Sequence, residues 1–332
     1  MEGRESINNS NKNPVNLTVA AIQPNIELGD KESNFDHILS LIELAIKKGA
    51  QLIVLPELFS SGYIISKEIW DFAENTNGPT VKYLKKISKK YSIYIGAGFV
   101  ETDGRNIYNS FLMTNPKGKI IGIIRKNNAE AYVFKRGKFN HIVQTPFGKI
   151  GVGICADNQF FNFLKQMHKE SVDILLMPHA APLPRQISKL IKEEDYKQQH
   201  QKLKELPIIY SKSLGIPIVF VNPIGIFRNI PGIIGRFIKP DQFSLKGYSR
   251  IIDYDGSIKG ELLENEGIIV STVSLHPSRK IYNKPKNYHG WLTQGSYLFR
   301  KIIIPLDILF GKIFYVFNRR RKKIARKKFS EI

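Results

Sequence analysis

Residues 149–155 form the apolar run Lys149-Ile-Gly-Val-Gly-Ile-Cys155, which ends at the only cysteine of the 332-residue chain. A polar segment follows at once, because Asp157, Asn158 and Gln159 replace the aliphatic residues. This pattern predicts a buried strand that passes into a loop at a single thiol. Reactive groups of α/β enzymes lie at such strand ends, so Cys155 is a candidate nucleophile. The alternative is an inert, buried cysteine, since free cysteine often serves only as a small hydrophobe.

Strand and helix patterns alternate along the rest of the chain, which predicts a layered α/β fold. Strands at 17–22 and 51–55 flank a helix that stops at Gly49, and the second strand ends at Pro56-Glu57. After a basic amphipathic helix at 80–91, short turns predict an antiparallel meander. Its strands are 92–101, 107–114 and 119–125. The sequence patterns in the second half of the chain predict a helical stretch at 185–213. They also predict strands at 148–154, 172–177, 216–222, 248–254 and 267–274. A hairpin turn at Asp255-Gly256 is expected between the last two of these strands.

Three predicted strand ends carry reactive side chains, namely Glu57, Lys126 and Cys155. A thiol needs a base to become a thiolate, and its tetrahedral adduct needs a partner for the oxyanion. Glu57 suits the first role and Lys126 the second. A lysine beside the sulfur is also expected to lower the thiol pKa from its reference of about 8.5. Either charged residue alone would be interpreted as a solvated surface group, so the prediction depends on all three occurring together.

These segments resemble the nitrilase superfamily of carbon–nitrogen hydrolases over about residues 17–280. The similarity is carried by Leu55-Pro-Glu57, by Arg125-Lys126 and by the run from Thr145 to Cys155. It implies that Glu57 is the general base, that Lys126 stabilises the tetrahedral intermediate and that Cys155 is the nucleophile. It also implies a second catalytic glutamate, for which Glu130 is the best match, with a solvated loop carboxylate as the alternative. The implied fold is an αββα sandwich that forms a homodimer, and no metal or organic cofactor is implied.

The segment after the cysteine departs from the pattern of many superfamily members. They continue with an aromatic residue, an acid and Arg-Phe-Pro-Glu, whereas this chain has Ala156-Asp-Asn-Gln-Phe-Phe161. The arginine is missing, so the segment assigns no subfamily. Ala156 and Asp157 beside the nucleophile, and His179 at the end of the next strand, are predicted to contact the substrate. For His179 the alternative is a packed or solvated histidine.

The resemblance implies a small-molecule amide, carbamoyl or nitrile substrate, and amide hydrolysis ranks above N-carbamoyl and nitrile hydrolysis. Acyl transfer to an amine stays open, because a nucleophile that outcompetes water can intercept an acyl thioester.

Composition and charge divide the chain into three predicted regions. Residues 1–16 are polar and are expected to be disordered, and residues 17–290 are the predicted carbon–nitrogen hydrolase domain. With 42% hydrophobic residues, the chain can bury a large core in one domain. Residues 291–332 form a basic amphipathic C-terminal extension. The single cysteine and the polar N-terminal segment predict a cytoplasmic protein.

The net charge of +21 is spread unevenly, because eleven Lys or Arg residues follow position 299 against two acids, a surplus of nine in this short extension. Apolar residues recur at helical spacing from Phe299 to Phe317, directly before Arg319-Arg-Arg-Lys-Lys323. The apolar part is too short and interrupted for a transmembrane helix, so residues 297–328 predict attachment to an anionic membrane surface. The alternative is that the apolar face packs on a partner subunit. A nucleic-acid-binding protein is the non-enzymatic alternative, but the absence of a recognisable nucleic-acid module disfavours that partner.

Overall fold

The computed structural model describes residues 13–187, 192–230, 232, 235, 239–285 and 299–331. Within these ranges the chain forms fifteen strands and six α-helices. The strands are β1 (Val15–Gln23), β2 (Leu52–Val54), β3 (Tyr94–Thr102), β4 (Ile107–Thr114), β5 (Ile120–Arg125), β6 (Ile142–Thr145), β7 (Gly148–Val152), β8 (Ile174–Pro178), β9 (Pro182–Pro184), β10 (Ile218–Val221), β11 (Ile224–Ile226), β12 (Phe243–Lys246), β13 (Arg250–Ile252), β14 (Ile258–Glu261) and β15 (Gly267–Leu275). The helices are α1 (Lys31–Lys47), α2 (Pro79–Tyr91), α3 (Phe161–Lys169), α4 (Glu193–Leu214), α5 (Ile304–Phe317) and α6 (Arg319–Ser330).

In this part of the chain the strands form two six-stranded sheets and one three-stranded sheet. The first sheet has the order β15-β1-β2-β3-β4-β5, with β1, β2 and β3 parallel to one another. The second has the order β14-β13-β10-β8-β7-β6, with β7, β8 and β10 parallel. Both β3 and β5 are antiparallel to β4, which confirms the predicted meander. Because β2, β3 and β5 therefore run in the same direction, their carboxyl ends lie at one edge of the first sheet.

The two large sheets pack face to face, with helices on both outer sides. Successive residues of a strand face opposite sides of a sheet. In β1, Val19 and Ala21 accordingly join the core shared with the second sheet, and Ala20 and Ile22 join the core under α1 and α2. Helices α3 and α4 cover the other side of the second sheet. The layers are helix, sheet, sheet and helix, so the predicted αββα sandwich is the observed architecture.

The predicted hairpin turn at Asp255-Gly256 is confirmed, but the strand predicted to follow it is wrong. The turn connects β13 to β14, which pairs antiparallel with it. The predicted partner, β15, instead pairs with β1 in the other sheet. The reason is that β14 is an edge strand with mostly exposed, polar residues, so its sequence lacks the alternation that marks a half-buried strand.

Several predicted boundaries shift by one to a few residues, and two further differences concern the start of α4 and the N-terminal segment. The helical stretch expected from residue 185 begins as α4 at Glu193, and residues 188–191 of the prediction lie outside the described residues. Val15 and Asn16, which the prediction places in a disordered segment, pair with Leu275 and Ser274 in the sheet. Residues 1–12 and 286–298 lie outside the described residues, so those parts of the predicted regions are not covered.

The C-terminal extension folds as two helices that dock on the domain. Helix α5 follows a π-helical turn, and Asn318 separates it from α6 and caps α6 by accepting from the N–H of Arg321 over 2.9 Å. The hydroxyl of Tyr315 in α5 accepts from the N–H of Ile107 over 2.8 Å, at the start of β4. Among the described helices, none has both the length and the apolarity needed to cross a bilayer.

Candidate active site

Glu57 lies where the chain leaves β2 and crosses the neighbouring strand β3. The backbone of Gly98 in β3 donates to the carbonyl of Pro56 over 3.1 Å and accepts from the N–H of Phe59 over 3.1 Å. Between these two bonds, Leu58 has a φ of +51°, in the left-handed region that residues with a side chain rarely adopt. The strand thus holds the backbone on both sides of Glu57, whose side chain is 2% exposed.

Lys126 follows β5 directly and forms the centre of a buried ion cluster. Its Nζ donates to Oε1 of Glu57 over 2.6 Å and to Oε1 of Glu130 over 2.5 Å. Nδ2 of Asn109 donates to the same Glu57 oxygen over 2.6 Å, and the hydroxyl of Tyr63 donates to Glu130 over 2.7 Å. Oε2 of Glu57 has no hydrogen-bond partner among the described residues. The cluster therefore leaves one basic oxygen of Glu57 available to a further group.

Cys155 begins a one-turn 3-10 helix just beyond β7. Its φ of +44° places it in the left-handed region, a strained conformation that persists only where surrounding contacts impose it. Two such contacts involve Asn158, whose side-chain amide donates to the carbonyl of Gly153 over 2.6 Å and whose carbonyl accepts from the hydroxyl of Tyr210 over 2.8 Å. The thiol is buried and receives a hydrogen bond from the backbone of Ala180. The strained turn thus fixes the sulfur at the strand end.

The charges of the cluster determine which group carries a proton. Burial raises the pKa of the Cys155 thiol well above its ordinary value, and the charge of Glu57 raises it further. The charge of Lys126 acts in the opposite direction but is outweighed, so the expected lowering of the thiol pKa is wrong. Burial also raises the pKa of Glu57, against the charge of Lys126. The resting cysteine is therefore a neutral thiol, and the proton affinity of Glu57 exceeds that of an ordinary glutamate.

The other two charges remain ionised. Burial favours the neutral form of both Lys126 and Glu130, but their mutual attraction outweighs it. The charges of Glu130 and Glu57 raise the pKa of Lys126 well above its ordinary value. The charge of Lys126, with the hydrogen bonds of Lys126 and Tyr63, holds the pKa of Glu130 below its usual range. Lys126 is thus a permanent cation within the site.

Asp157 accepts hydrogen bonds from the residues that follow Lys126. Its buried carboxylate accepts from the N–H of Asn127 over 3.2 Å and from the N–H of Asn128 over 2.7 Å. The Nδ2 of Asn128 donates to the same carboxylate over 3.0 Å. These contacts support a positioning function, and direct contact of Asp157 with substrate stays a prediction.

His179 lies behind Glu57 and is fully buried. Its carbonyl accepts from the N–H of Glu57 over 3.3 Å, and its Nε2 lies 2.9 Å from Nδ2 of Asn158. Burial lowers the pKa of His179 to about 3, so its imidazole is neutral at physiological pH. The backbone and ring of His179 link the segments that carry Glu57 and Cys155, while its predicted contact with substrate stays a prediction.

A cavity of about 470 Å³ is lined by residues next to the cluster and by α5. Ala156, the third residue predicted to contact substrate, follows the nucleophile in sequence and lines this cavity, whereas Cys155 itself is not among the lining residues. Helix α5 contributes Ile308 and Lys312 to its wall. With Lys135 and Arg136, the described lining contains three cations and no carboxylate. The C-terminal extension is therefore a structural part of the cavity.

A family model described as carbon-nitrogen hydrolase matches residues 18–282. This match covers most of the chain and includes Glu57, Lys126, Glu130 and Cys155. The chain belongs to the carbon–nitrogen hydrolase family. The predicted resemblance to the nitrilase superfamily is confirmed by this match.

Known carbon–nitrogen hydrolases are similar to this one in sequence and in fold. The nitrilase of Pyrococcus abyssi is 32% identical over 175 residues, which are 51% of this chain and 66% of that protein. The citrullinase of Francisella tularensis is 35% identical over 178 residues, 50% of this chain and 62% of that protein. Both matches span less than two thirds of the relative. The crystal structure of a carbon-nitrogen hydrolase from Helicobacter pylori G27 has a TM-score of 0.68 at 20% identity, covering 78% of this chain and 89% of that chain. The similarity to that structure confirms the fold.

Two residues of this carbon–nitrogen hydrolase were not predicted to belong to the site. Asn109 is a buried amide in the middle of β4, where both faces of the strand are covered. A polar pair, Asn109-Ser110, within such a strand is a signal that was available in the sequence. Tyr63 lies in an irregular segment, and no sequence pattern marks it. Across the described residues, no group of three or more His, Cys, Asp or Glu side chains is placed to hold a metal ion.

Proposed function

We propose that this carbon–nitrogen hydrolase cleaves the carbon–nitrogen bond of a small-molecule amide through an acyl thioester on Cys155. The observation that carries the proposal is the arrangement of Glu57. Its Oε1 is held by Lys126 and Asn109, while its Oε2 has no partner among the described residues. A buried carboxylate with a raised pKa and a free oxygen, in electrostatic contact with a neutral thiol, is suited to general base catalysis.

In the acylation step, Glu57 takes the proton of the Cys155 thiol, and the sulfur attacks the amide carbon. The carbonyl oxygen becomes an oxyanion, which the permanent charge of Lys126 stabilises. Lys126 has three N–H donors, two of which are directed to Glu57 and Glu130, so one is left for the oxyanion. Glu57 then gives its proton to the leaving nitrogen as the carbon–nitrogen bond breaks. The products of this step are the free amine or ammonia and the thioester.

In the deacylation step, a water molecule replaces the amine. Glu57 takes one proton from the water, the hydroxide oxygen attacks the thioester carbon, and Lys126 again stabilises the oxyanion. The carbon–sulfur bond then breaks, and the proton on Glu57 returns to the sulfur. The acid is released, and the site regains its thiol. Glu130 serves in both steps by holding Lys126 in place and keeping it charged.

The cavity supports a substrate whose acyl group carries an anionic end. Lys135, Arg136 and Lys312 border the cavity, and no ion pair joins any of them to a described carboxylate. Unpaired cations around a cavity attract anionic ligands. We therefore rank amides with a carboxylate or phosphate group above neutral amides, and amides above carbamoyl compounds and nitriles.

The experiment is intact-mass analysis of the protein after exposure to a panel of amides, N-carbamoyl compounds and nitriles, each with and without a terminal carboxylate. We expect an acyl adduct from the carboxylate-bearing amides, located on Cys155 by peptide mapping, together with release of the acid. A carbamoyl or thioimidate mass would instead indicate one of the other activities. Product formed in the presence of a hydroxylamine or amine acceptor, at the expense of the acid, would indicate acyl transfer.

Three variants assign the roles. Cys155→Ala should abolish turnover and labelling with an unchanged circular dichroism spectrum. Glu57→Gln should slow both the alkylation of Cys155 by iodoacetamide and turnover, while Lys126→Met should slow acylation by losing charge stabilisation of the transition state. Turnover near the parent rate in a folded Cys155→Ala variant would reject the assignment.

The proposal includes a homodimer and a cytoplasmic location. The dimer follows the pattern that the resemblance implies, and light scattering of the full chain tests it. The cytoplasmic location is consistent with a single, free cysteine.

A further inference from the structure

Helix α5 docks on the domain through Asp307, Gly311 and Tyr315, and the neighbouring Phe314 packs against the ring of Tyr132. The hydroxyl of Tyr315 exchanges two hydrogen bonds with the backbone of Ile107, and Asp307 accepts from the hydroxyl of Tyr132 over 3.2 Å. Gly311 fits so closely that a Cβ there would lie 2.9 Å from the ring of Tyr132. These three positions follow one another at i, i+4 and i+8, so they define the inner side of the helix.

The opposite side of α5 is an exposed apolar strip. At 100° per residue, its six members fall within an arc of about 120° on the side away from Gly311. They are Leu306, Leu309, Phe310, Ile313, Val316 and Phe317, with exposed fractions between 44% and 74%. Amphipathic helices of globular proteins normally bury the apolar side and expose the polar one. Helix α5 buries Asp307 and Tyr315 and leaves this strip exposed, so the strip faces away from the core of its own chain.

Helix α6 presents exposed cations directly after this strip. Arg321 points inward and donates to the carbonyl of Tyr315 over 3.3 Å, and Arg320 pairs with Asp71 over 2.9 Å. Four other cations have no carboxylate within ion-pair distance among the described residues, namely Arg319, Lys322, Lys323 and Arg326. The combination is an apolar helix face joined to a group of unpaired positive charges.

We propose that α5 and α6 bind the surface of an anionic lipid bilayer. In this arrangement the apolar strip enters the region where headgroups meet acyl chains, and the unpaired cations of α6 contact lipid phosphates. An apolar face removes aliphatic area from water on insertion, and each cation near an anionic surface adds to the attraction. Insertion requires the apolar strip and electrostatic attraction requires the cations, and α5 and α6 expose these two features next to each other.

Charge argues for a bilayer over a second copy of the chain. Symmetric contact of two apolar strips would leave both sets of cations without a carboxylate partner, and parallel packing would also bring these like charges together, which opposes association. An anionic surface instead neutralises them. Nucleic acid would also neutralise the cations, but it offers the six aliphatic and aromatic side chains no apolar phase. The bilayer is the partner that matches both features.

The experiment is sedimentation of the full chain with vesicles of equal parts phosphatidylglycerol and phosphatidylcholine, compared with pure phosphatidylcholine vesicles. Two double variants remove one feature each: Leu309→Ser with Ile313→Ser, and Lys322→Glu with Lys323→Glu. We expect each to lower the partition coefficient on anionic vesicles by about tenfold or more. About 0.5 M sodium chloride should weaken binding of the parent in the same direction, because it screens the cations.

Matched controls alter the same residue types elsewhere on the surface. Leu44→Ser with Leu263→Ser removes two aliphatic side chains of similar exposure, and Lys85→Glu with Lys86→Glu reverses two exposed lysines of α2. We expect both controls to bind as the parent does, since α2 has a row of lysines without an apolar strip.

Three results would overturn the proposal. The first is equal binding of the parent to anionic and neutral vesicles or to neither, and the second is equal loss in the controls. The third is a mass, by analytical ultracentrifugation without lipid, that falls by half only in the Leu309→Ser and Ile313→Ser variant, which would assign the strip to a second copy. None of these measurements uses turnover, so the result is independent of the proposed reaction.

Discussion

Replacing Gly98 by alanine should damage the site although Gly98 carries no reactive group. A Cβ at this position would lie 2.4 Å from the backbone nitrogen of Leu58 and 2.6 Å from Cα of Glu57. Ordinary contact begins at 3.4 Å, so the segment that carries Glu57 must retreat by about 1 Å. The colliding atoms are backbone, so no side-chain rotation relieves the contact.

A displacement of about 1 Å at a reacting group costs on the order of 100-fold in rate. We therefore expect kcat/KM of Gly98→Ala to fall about 100-fold, which corresponds to about 2.7 kcal/mol in activation free energy. The alkylation rate of Cys155 by iodoacetamide should also fall, because the displaced Glu57 no longer receives the thiol proton. Both rates are measured on the same preparation, with the amide that labels Cys155 as substrate.

Gly96→Ala is the matched control, because Gly96 lies two residues earlier on the same face of β3. Its Cβ would lie 2.6 Å from the ring of Phe111. This contact is with a core side chain and not with the backbone that carries Glu57. Both variants should lose stability by about 1–3 kcal/mol in denaturant unfolding. Only Gly98→Ala should also lose kcat/KM and the alkylation rate of Cys155. A folded Gly98→Ala variant with kcat/KM within about threefold of the parent would refute the reasoning.

Three further variants test individual contacts. Glu130→Gln removes a negative charge that raises the pKa of Glu57, so the acid limb of the kcat/KM profile should move to lower pH; an unmoved limb would mean that the two carboxylates do not interact. Tyr315→Phe leaves the buried N–H of Ile107 without its partner and should weaken docking of α5 by about 1–3 kcal/mol, seen as faster hydrogen exchange in α5 and α6. His179→Gln should leave both limbs in place between about pH 5 and pH 8, because the pKa of His179 is about 3 and the imidazole does not titrate there; a lost limb would contradict this.

The fold could be predicted where local signals agreed with burial. Strand β4 has the predicted bounds, Ile107–Thr114, because glycine turns and apolar residues define both of its ends. Strand β14 could not be predicted, since an exposed edge strand needs no apolar alternation. Strand β9 is bounded by two prolines, Pro182 and Pro184, a composition that argues against a strand in sequence reasoning. The pairing of strands far apart in sequence, such as β1 with β15, could not be predicted, because no local sequence pattern specifies it.

The site shows the same division between local and non-local information. Glu57, Lys126 and Cys155 follow recognisable strands, and the structure brings the first two into contact in one buried cluster with Glu130. The sign of the thiol pKa shift could not be predicted, because it depends on burial more than on the neighbouring lysine. The docked side of α5 could not be predicted either, because Gly311 and Tyr315 contact the domain through their shape and hydrogen bonds and not through hydrophobicity.

Helix α5 lies between the cavity beside the site and the outer surface that we propose binds a bilayer. Lys312 and Val316 line the cavity beside the site, and Val316 also belongs to the apolar strip on the outside. A ligand on either side that favours the docked helix lowers the free energy of the state the other ligand needs. Such coupling is reciprocal by thermodynamic linkage, so a substrate that tightens the wall must also raise the affinity of the strip for its partner, by the same factor. If both surfaces bind as we propose, the extension is an effector element through which occupancy of the cavity and occupancy of the outer surface regulate each other.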